Sequence, residues 1–192
     1  MLIHRIHLRR LPRFVARLRR SRFARDRRGV SAVEFALIAP IMIGLYFGCV
    51  EVSDAVAVDR KVSLTAAALA NLSAQVTTIT SNDMTNILDA SGAIVQPYDA
   101  SKLKMTITCI TIDASKKATV KWSVTRNGTA KSGTVTLPTA LAVANTQLVM
   151  AEASYAYTPI VGYTITGSIN LSDKMYMAPR QTAPNYNGAS CT

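Results

Sequence analysis

"RRGVSAVEFALIAPIMIGLYFGCVEVSD", residues 27–54, is the stretch on which the reading of this chain turns. From Val30 to Val50 every residue but a few is apolar, and the only charge is Glu34. Two arginines and a glycine stand directly in front. At helical rise such a run covers about 30 Å, the thickness of a bilayer's hydrocarbon core. The run therefore predicts a transmembrane helix over residues 30–51. An ionised carboxylate costs at least ~2 kcal/mol near the bilayer centre. Glu34 lies only one turn inside, so taken alone it reads either as a snorkelling side chain or as a functional group.

The charge of the chain falls around this run in a telling way. The net charge is +11, but residues 1–28 hold eleven arginines and one acid, Asp26. From Gly29 onward eleven basic residues face ten acidic ones. Basicity is thus a property of the leader, while Glu51, Asp54 and Asp59 follow the apolar run. The positive-inside rule puts the N-terminus in the cytoplasm and the remainder across the membrane. Within the leader Leu8, Leu11, Val15 and Leu18 recur every three or four residues. That suits a basic helix on an anionic leaflet, where each arginine is worth about 1 kcal/mol, although Pro12 counts against it. A disordered retention tail and a DNA-binding arm are the alternatives. The arm has no base-reading constellation beside it, so no nucleic-acid partner is expected. A removable secretory signal cut near Ala55-Val56-Ala57 is disfavoured, because Glu51 and Asp54 interrupt the apolar run before that site.

Cutting after Gly29 would make Val30 a new N-terminus and put Glu34 at its fifth position, followed by Phe35. This arrangement resembles a type IV prepilin processing site. More closely, "RRGVSAVEFALIAPIMIGL" resembles the N-terminus of TadE-like proteins, minor pilins or pseudopilins of the tight-adherence (Tad/Flp) pilus system. "VMAEASYAYTPIVG" (149–162) and "KMYMAPR" (174–180) resemble that family's closing strands. The resemblance implies cleavage between Gly29 and Val30 by a prepilin peptidase. It implies a docking role for Glu34, whose carboxylate would meet the freed Val30 amine in the same or a neighbouring subunit. A paired charge is far cheaper in lipid than an isolated one. It also implies other Tad/Flp pilins, pseudopilins and an inner-membrane assembly platform as partners. The protein would be a single-pass component of a bacterial inner membrane with a periplasmic C-terminal domain, and its entry into an extracellular fibre is left open. An uncleaved periplasmic adaptor of a secretion complex is the second reading, and a membrane-tethered nucleic-acid sensor a distant third.

Elsewhere in the run, Pro40 removes a backbone donor and predicts a kink. Gly44 and Gly48 have the close-packing GxxxG spacing. Val52, Val56, Val62, Ala66, Leu69 and Val76 continue a three-to-four spacing, which extends the helix to about Gln75 with one apolar stripe. A short helix is expected over 83–89. Alternation then marks strands. Leu103, Met105, Ile107 and Cys109 share one face, and Val120, Trp122 and Val124 share another. Further strands are read at Lys131–Pro138, Thr146–Thr158 and Tyr163–Ile169, with a turn at Asn127-Gly128. The fold class is α+β: a long N-terminal helix continuing into a periplasmic helix packed on a small antiparallel meander. The organisation reads as a removable basic cytoplasmic leader 1–29; span 30–51; stalk 52–76; and periplasmic β-rich domain 77–192.

The three cysteines, Cys49, Cys109 and Cys191, have no metal-ligand or redox-motif spacing. Cys109 and Cys191 could be bonded across a loop of about 80 residues, worth on the order of 4 kcal/mol, or could be free thiols. Both histidines, His4 and His7, lie in the leader. The acids and serines beyond it have no base to activate them, so neither catalysis nor a cofactor is expected.

Overall fold

The computed structural model describes residues 27–159 and 167–191; of Arg27 and Arg28 only the backbone is described. The leader residues 1–26 lie outside this, and so does most of the strand expected over 163–169. The chain divides into two compact units, Met1–Tyr46 and Phe47–Thr192.

Helix α1 runs Arg27–Gln75 without a break, passing through Pro40. Its 49 residues give a length of about 73 Å. The Gly29–Val30 bond lies within it. In the second unit one stripe of α1 is buried. Val58, Val62, Ala66, Leu69 and Ala70 are inaccessible, and between them Thr65 returns its hydroxyl to the Lys61 carbonyl at 2.8 Å. Helix α2 spans Ser81–Gly92, longer at both ends than the alternation suggests. Thr80 accepts from the Asp83 N–H and Asp83 accepts from the Thr80 N–H, a reciprocal cap that fixes its start.

Strands β2 (Leu103–Ile112), β3 (Ala118–Arg126), β4 (Thr146–Tyr157) and β5 (Ile169–Met177) form one antiparallel sheet. Its order is β3-β2-β4-β5. This corrects the expected meander: β2 and β3 form a hairpin, then the chain crosses to the other flank of β2 before β4. A short parallel pair, β1 (Thr78–Ile79) with β6 (Asn185–Tyr186), closes the chain. The third strand expected over Lys131–Pro138 is absent. That stretch makes one bridge, Thr119 with Thr134, then turns away between Gly133, held at φ +76°, and Pro138. β5 begins at Ile169, where the expected last strand was to end.

Leu103, Met105, Ile107 and Cys109 do share the face turned toward the main core, with Val149, Ala151, Ala153, Tyr155 and Tyr157 beside them on β4. Val120 does not share the face of Trp122. The register shifts between Cys109 and Ile110, so Trp122 opposes Cys109 while Val120 opposes Ile110 on the other side. An extra residue in one strand reverses its alternation. On that other face Ile110, Ile112, Ala118, Leu148 and Met150 form a second small core, covered by Val135, Leu137, Leu141 and Tyr176.

The segment after β5 is a strap over the far end of the main core. The Arg180 N–H bonds the Ala74 carbonyl at 3.0 Å, supplying one of the helix-end acceptors with a partner. The Trp122 indole N–H donates to the Pro184 carbonyl at 3.0 Å, and its ring lies 5.7 Å from that of Tyr186. Cys191 is bonded to Cys109 with the Cα atoms 6.0 Å apart, inside the usual range for a disulfide. The Thr111 hydroxyl donates to the Cys191 carbonyl.

Candidate functional site

The first turns of α1 hold the residues singled out by sequence. Gly29 is helical, and a Cβ built there would meet nothing within 4 Å. Among the described residues no close approach calls for a glycine there, and within a helix glycine costs about 1 kcal/mol relative to alanine. Val30, Glu34 and Phe35 are exposed, and Glu34 has no ion-pair partner among the described residues. Pro40 is exposed, and Gly44 and Gly48 are half-buried within an otherwise exposed run. From Val33 through Leu45 the large apolar side chains all stand open. Among the described residues α1 is the one helix long and apolar enough to cross a membrane. Cys49 is a free thiol on its surface. Gly29 and Glu34 are therefore little more than one turn apart on the helix, with Gly44 nearly three turns further on, and they do not converge on a pocket.

A second constellation, one the sequence reading did not find, sits where α1 meets the sheet. Asp54 accepts the Tyr98 hydroxyl at 2.5 Å and the Tyr157 hydroxyl at 2.9 Å, one on each carboxylate oxygen. The Tyr157 hydroxyl also lies 3.5 Å from the Glu51 carbonyl, and Glu51 itself is only 3% exposed. Tyr98 and Tyr155 meet edge to face at 6.4 Å. The bond to Asp54, aided by burial, pushes the Tyr98 phenol up to about 12. Burial, aided by the same carboxylate, pushes Tyr157 up to about 12. Lys61 donates to the Ile94 and Gln96 carbonyls at 3.2 and 2.7 Å, holding the loop that carries Tyr98. The hub is a clamp between helix and sheet. The signal for it was a helix-borne acid flanked by apolar residues, but its tyrosine partners lie 44 and 103 residues away.

The sheet's outer face carries a third group. Glu152 on β4 is 2.5 Å from the Lys131 ammonium and 2.9 Å from that of Lys174. Burial alone would raise the Glu152 carboxyl, but the two lysines outweigh it and hold the group below its ordinary value. Glu152 and Lys174 line an open cleft of about 250 Å³ with Lys104, Thr106, Ser154 and Ser172. The Lys131 and Lys174 ammonium groups are matched to the carboxylate, and among the described residues no His or Cys lines the cleft to activate Ser154 or Ser172. Among the described residues no three His, Cys, Asp or Glu side chains are grouped to hold a metal ion. His4 and His7 lie outside the described residues.

Comparison with known proteins adds one match. The family model described as TadE-like protein matches residues 29–70, the same family that the N-terminal motif resembles. The matched stretch begins at Gly29 and takes in Glu34, the apolar run and most of the buried stripe of α1. It connects the chain with components of the Tad pilus and with a membrane anchor. No curated protein matches the chain, and no solved structure does.

Proposed function

We propose that the chain is a minor pilin or pseudopilin-like structural component of a Tad/Flp pilus, built into its assembly from the bacterial inner membrane. In this reading residues 1–29 are a cytoplasmic leader that a prepilin peptidase removes, and residues 30–51 span the bilayer. Residues 52–76 form a stalk, and residues 77–192 form the periplasmic domain. The observation that carries it is Gly29, a glycine inside a helix with open space where its Cβ would stand. The fold gains nothing from it, whereas a protease that must reach the backbone does. Glu34, exposed four residues beyond Val30, is positioned to receive the amine that cleavage would free. Partners follow from this: the peptidase, the other Tad/Flp pilins and pseudopilins, and an inner-membrane platform. The role is structural rather than catalytic.

One observation favours the second reading, an uncleaved single-pass adaptor. The Gly29–Val30 bond lies within α1 and must unwind before a protease can take it. N-terminal sequencing of the natural protein separates the two, with Val30 expected for the pilin and Met1 for the adaptor. On co-expression with a prepilin peptidase, Gly29→Arg is expected to abolish the loss of residues 1–29. An unchanged size shift in that variant would exclude cleavage at this bond.

A further inference from the structure

We propose that the cleft between the β2–β3 hairpin and the crossover from β3 to β4 receives an extended segment of a partner protein, one in which an Asp or Glu stands within two residues of an aliphatic side chain. The cleft measures about 380 Å³, inside the range of about 300–1,000 Å³ usual for binding clefts. Every residue that lines it belongs to the second compact unit. It lies at the hairpin end of the sheet, a strand's length of about 30 Å from the end where β4 stops and β5 begins. The inference stands apart from the reading of residues 30–51 as a membrane span.

The backbone says why a peptide fits. The Val120 N–H donates to the Gly133 carbonyl at 2.9 Å, and the Val135 N–H donates to the Ala118 carbonyl at 3.0 Å. Residues 133–135 thus add one rung to the edge of β3. Thr134 sits between these two bonds, opposite Thr119. Neighbouring residues of an extended chain direct their backbone groups to opposite sides, so the Thr134 N–H and carbonyl point away from β3. Among the described residues neither has a hydrogen-bond partner. Pro138 and the tight turn Thr139–Leu141 then bend the chain away and end the rung. An open N–H and carbonyl at a sheet edge are a template for a further strand. A peptide backbone satisfies both, which an acyl chain or a simple anion does not.

The side chains say which peptide. Val135 and Leu137 give the cleft half-buried aliphatic surface, and Thr134 and Thr136 give it hydroxyls. The charged residues lining it, Lys116 and Lys117, are both basic and both exposed. Neither has an ion-pair partner among the described residues, whereas Lys131 and Lys174 on the same sheet are both taken by Glu152. The hairpin's own acid, Asp113, accepts the Ser115 hydroxyl at 2.6 Å and the Lys117 backbone N–H at 2.9 Å. Its one carboxylate shapes the turn and leaves two ammonium groups against it, so the hairpin side of the cleft keeps an excess of positive charge. A carboxylate on the incoming segment complements the lysines, and an aliphatic neighbour complements Val135 and Leu137. Opposite charge across such a contact sets orientation and partner choice more than raw affinity.

The test selects a displayed library of random short peptides on the full chain in maltoside detergent. Survivors are remade as labelled peptides, and their binding is measured by fluorescence anisotropy to the natural chain and to Lys116→Glu/Lys117→Glu. Both substitutions fall on exposed side chains, and circular dichroism checks that the fold is kept. Survivors are expected to carry an Asp or Glu within two residues of Val, Ile or Leu, and the reversed chain is expected to bind them about tenfold more weakly. Replacing the peptide's acid by Lys should restore binding to the reversed chain. A library without survivors, survivors that lack the acid–aliphatic pairing, or an affinity that the reversal leaves unchanged overturns the proposal. Self-association of the chain that the reversal abolishes gives the cleft to a second copy, and overturns it as well.

Discussion

The two halves of α1 are made of similar residues and meet opposite surroundings. Between Val30 and Val50 apolar side chains point in every direction, and Leu37, at 69% exposed, is typical of them. Between Glu51 and Ala74 the buried apolar residues fall on one stripe, of which Leu69, with no exposed surface, is typical, while Val52 and Val56, expected on that stripe, are exposed, as is Leu64. A helix that is apolar all round needs lipid or other helices, whereas a striped one needs a single packed partner. The second half has that partner in β2 and β4. Along the first half the large apolar side chains from Val33 to Leu45 stand open, which is why the membrane enters the account as a solvent.

The strongest way to break this contrast is to loosen the partner. Cys191→Ser opens a closure of 82 residues and frees the strap that covers Trp122. The expected loss is about 4 kcal/mol of domain stability, measured by chemical denaturation of the detergent-solubilised chain with and without reductant. Membrane partitioning should not change. If reduction leaves the unfolding midpoint in place, the strap is not the closure described above. Next in size is a matched pair of truncations. Leu69→Ala is expected to cost about 3 kcal/mol. Leu37→Ala should fall within about 0.5 kcal/mol in the same detergent. Similar losses at the two positions would mean that the first half is packed against protein after all.

Much of the contrast is legible in the sequence, because a helix's surroundings are written in its periodicity. The apolar run, the change from all-round to striped, and the inner face of β2 are all local patterns. What could not be read depends on residues far apart. Val120 reads as a neighbour of Trp122, yet one extra residue against Cys109 reverses it, and nothing in the alternation of β3 marks that bulge. Ile110 and Ile112 hint at an outer core, but its cover comes from the Lys131–Pro138 stretch that reads as a strand. Asp54 reads as a solvated flank residue, and only the fold brings Tyr98 and Tyr157 to it. Of the candidate site, the motif from Gly29 to Phe35 is legible because its residues are adjacent; the clamp is not.

Smaller effects sharpen the picture of the second half. Glu152 ties the crossover to β5 through Lys131 and Lys174, with its carboxyl held below the ordinary range. A group depressed in the fold contributes stability at pH above its unfolded value and loses it as the pH falls through the folded value. Glu152→Gln should therefore cost about 1 kcal/mol at neutral pH and progressively less in acid, as followed by denaturation at several pH values. A constant cost across that range would assign the loss to packing rather than to charge.

The clamp titrates at the opposite end of the scale. Tyr98 and Tyr157 are both pushed up to about 12, and both answer to the Asp54 carboxylate. A phenol raised in the fold favours folding fully below its ordinary value near 10, and that contribution drains away as the pH climbs toward 12. Ultraviolet titration should show Tyr98 and Tyr157 ionising late, toward pH 12. Asp54→Asn removes the negative charge while leaving an oxygen to accept one hydroxyl. It should bring the late pair down toward 10, Tyr98 more than Tyr157, because the bond to Asp54 is the leading cause for Tyr98 and burial for Tyr157. If the pair titrates unchanged in that variant, burial alone governs both phenols, and the end of β4 is held to α1 by packing instead of by the carboxylate between them.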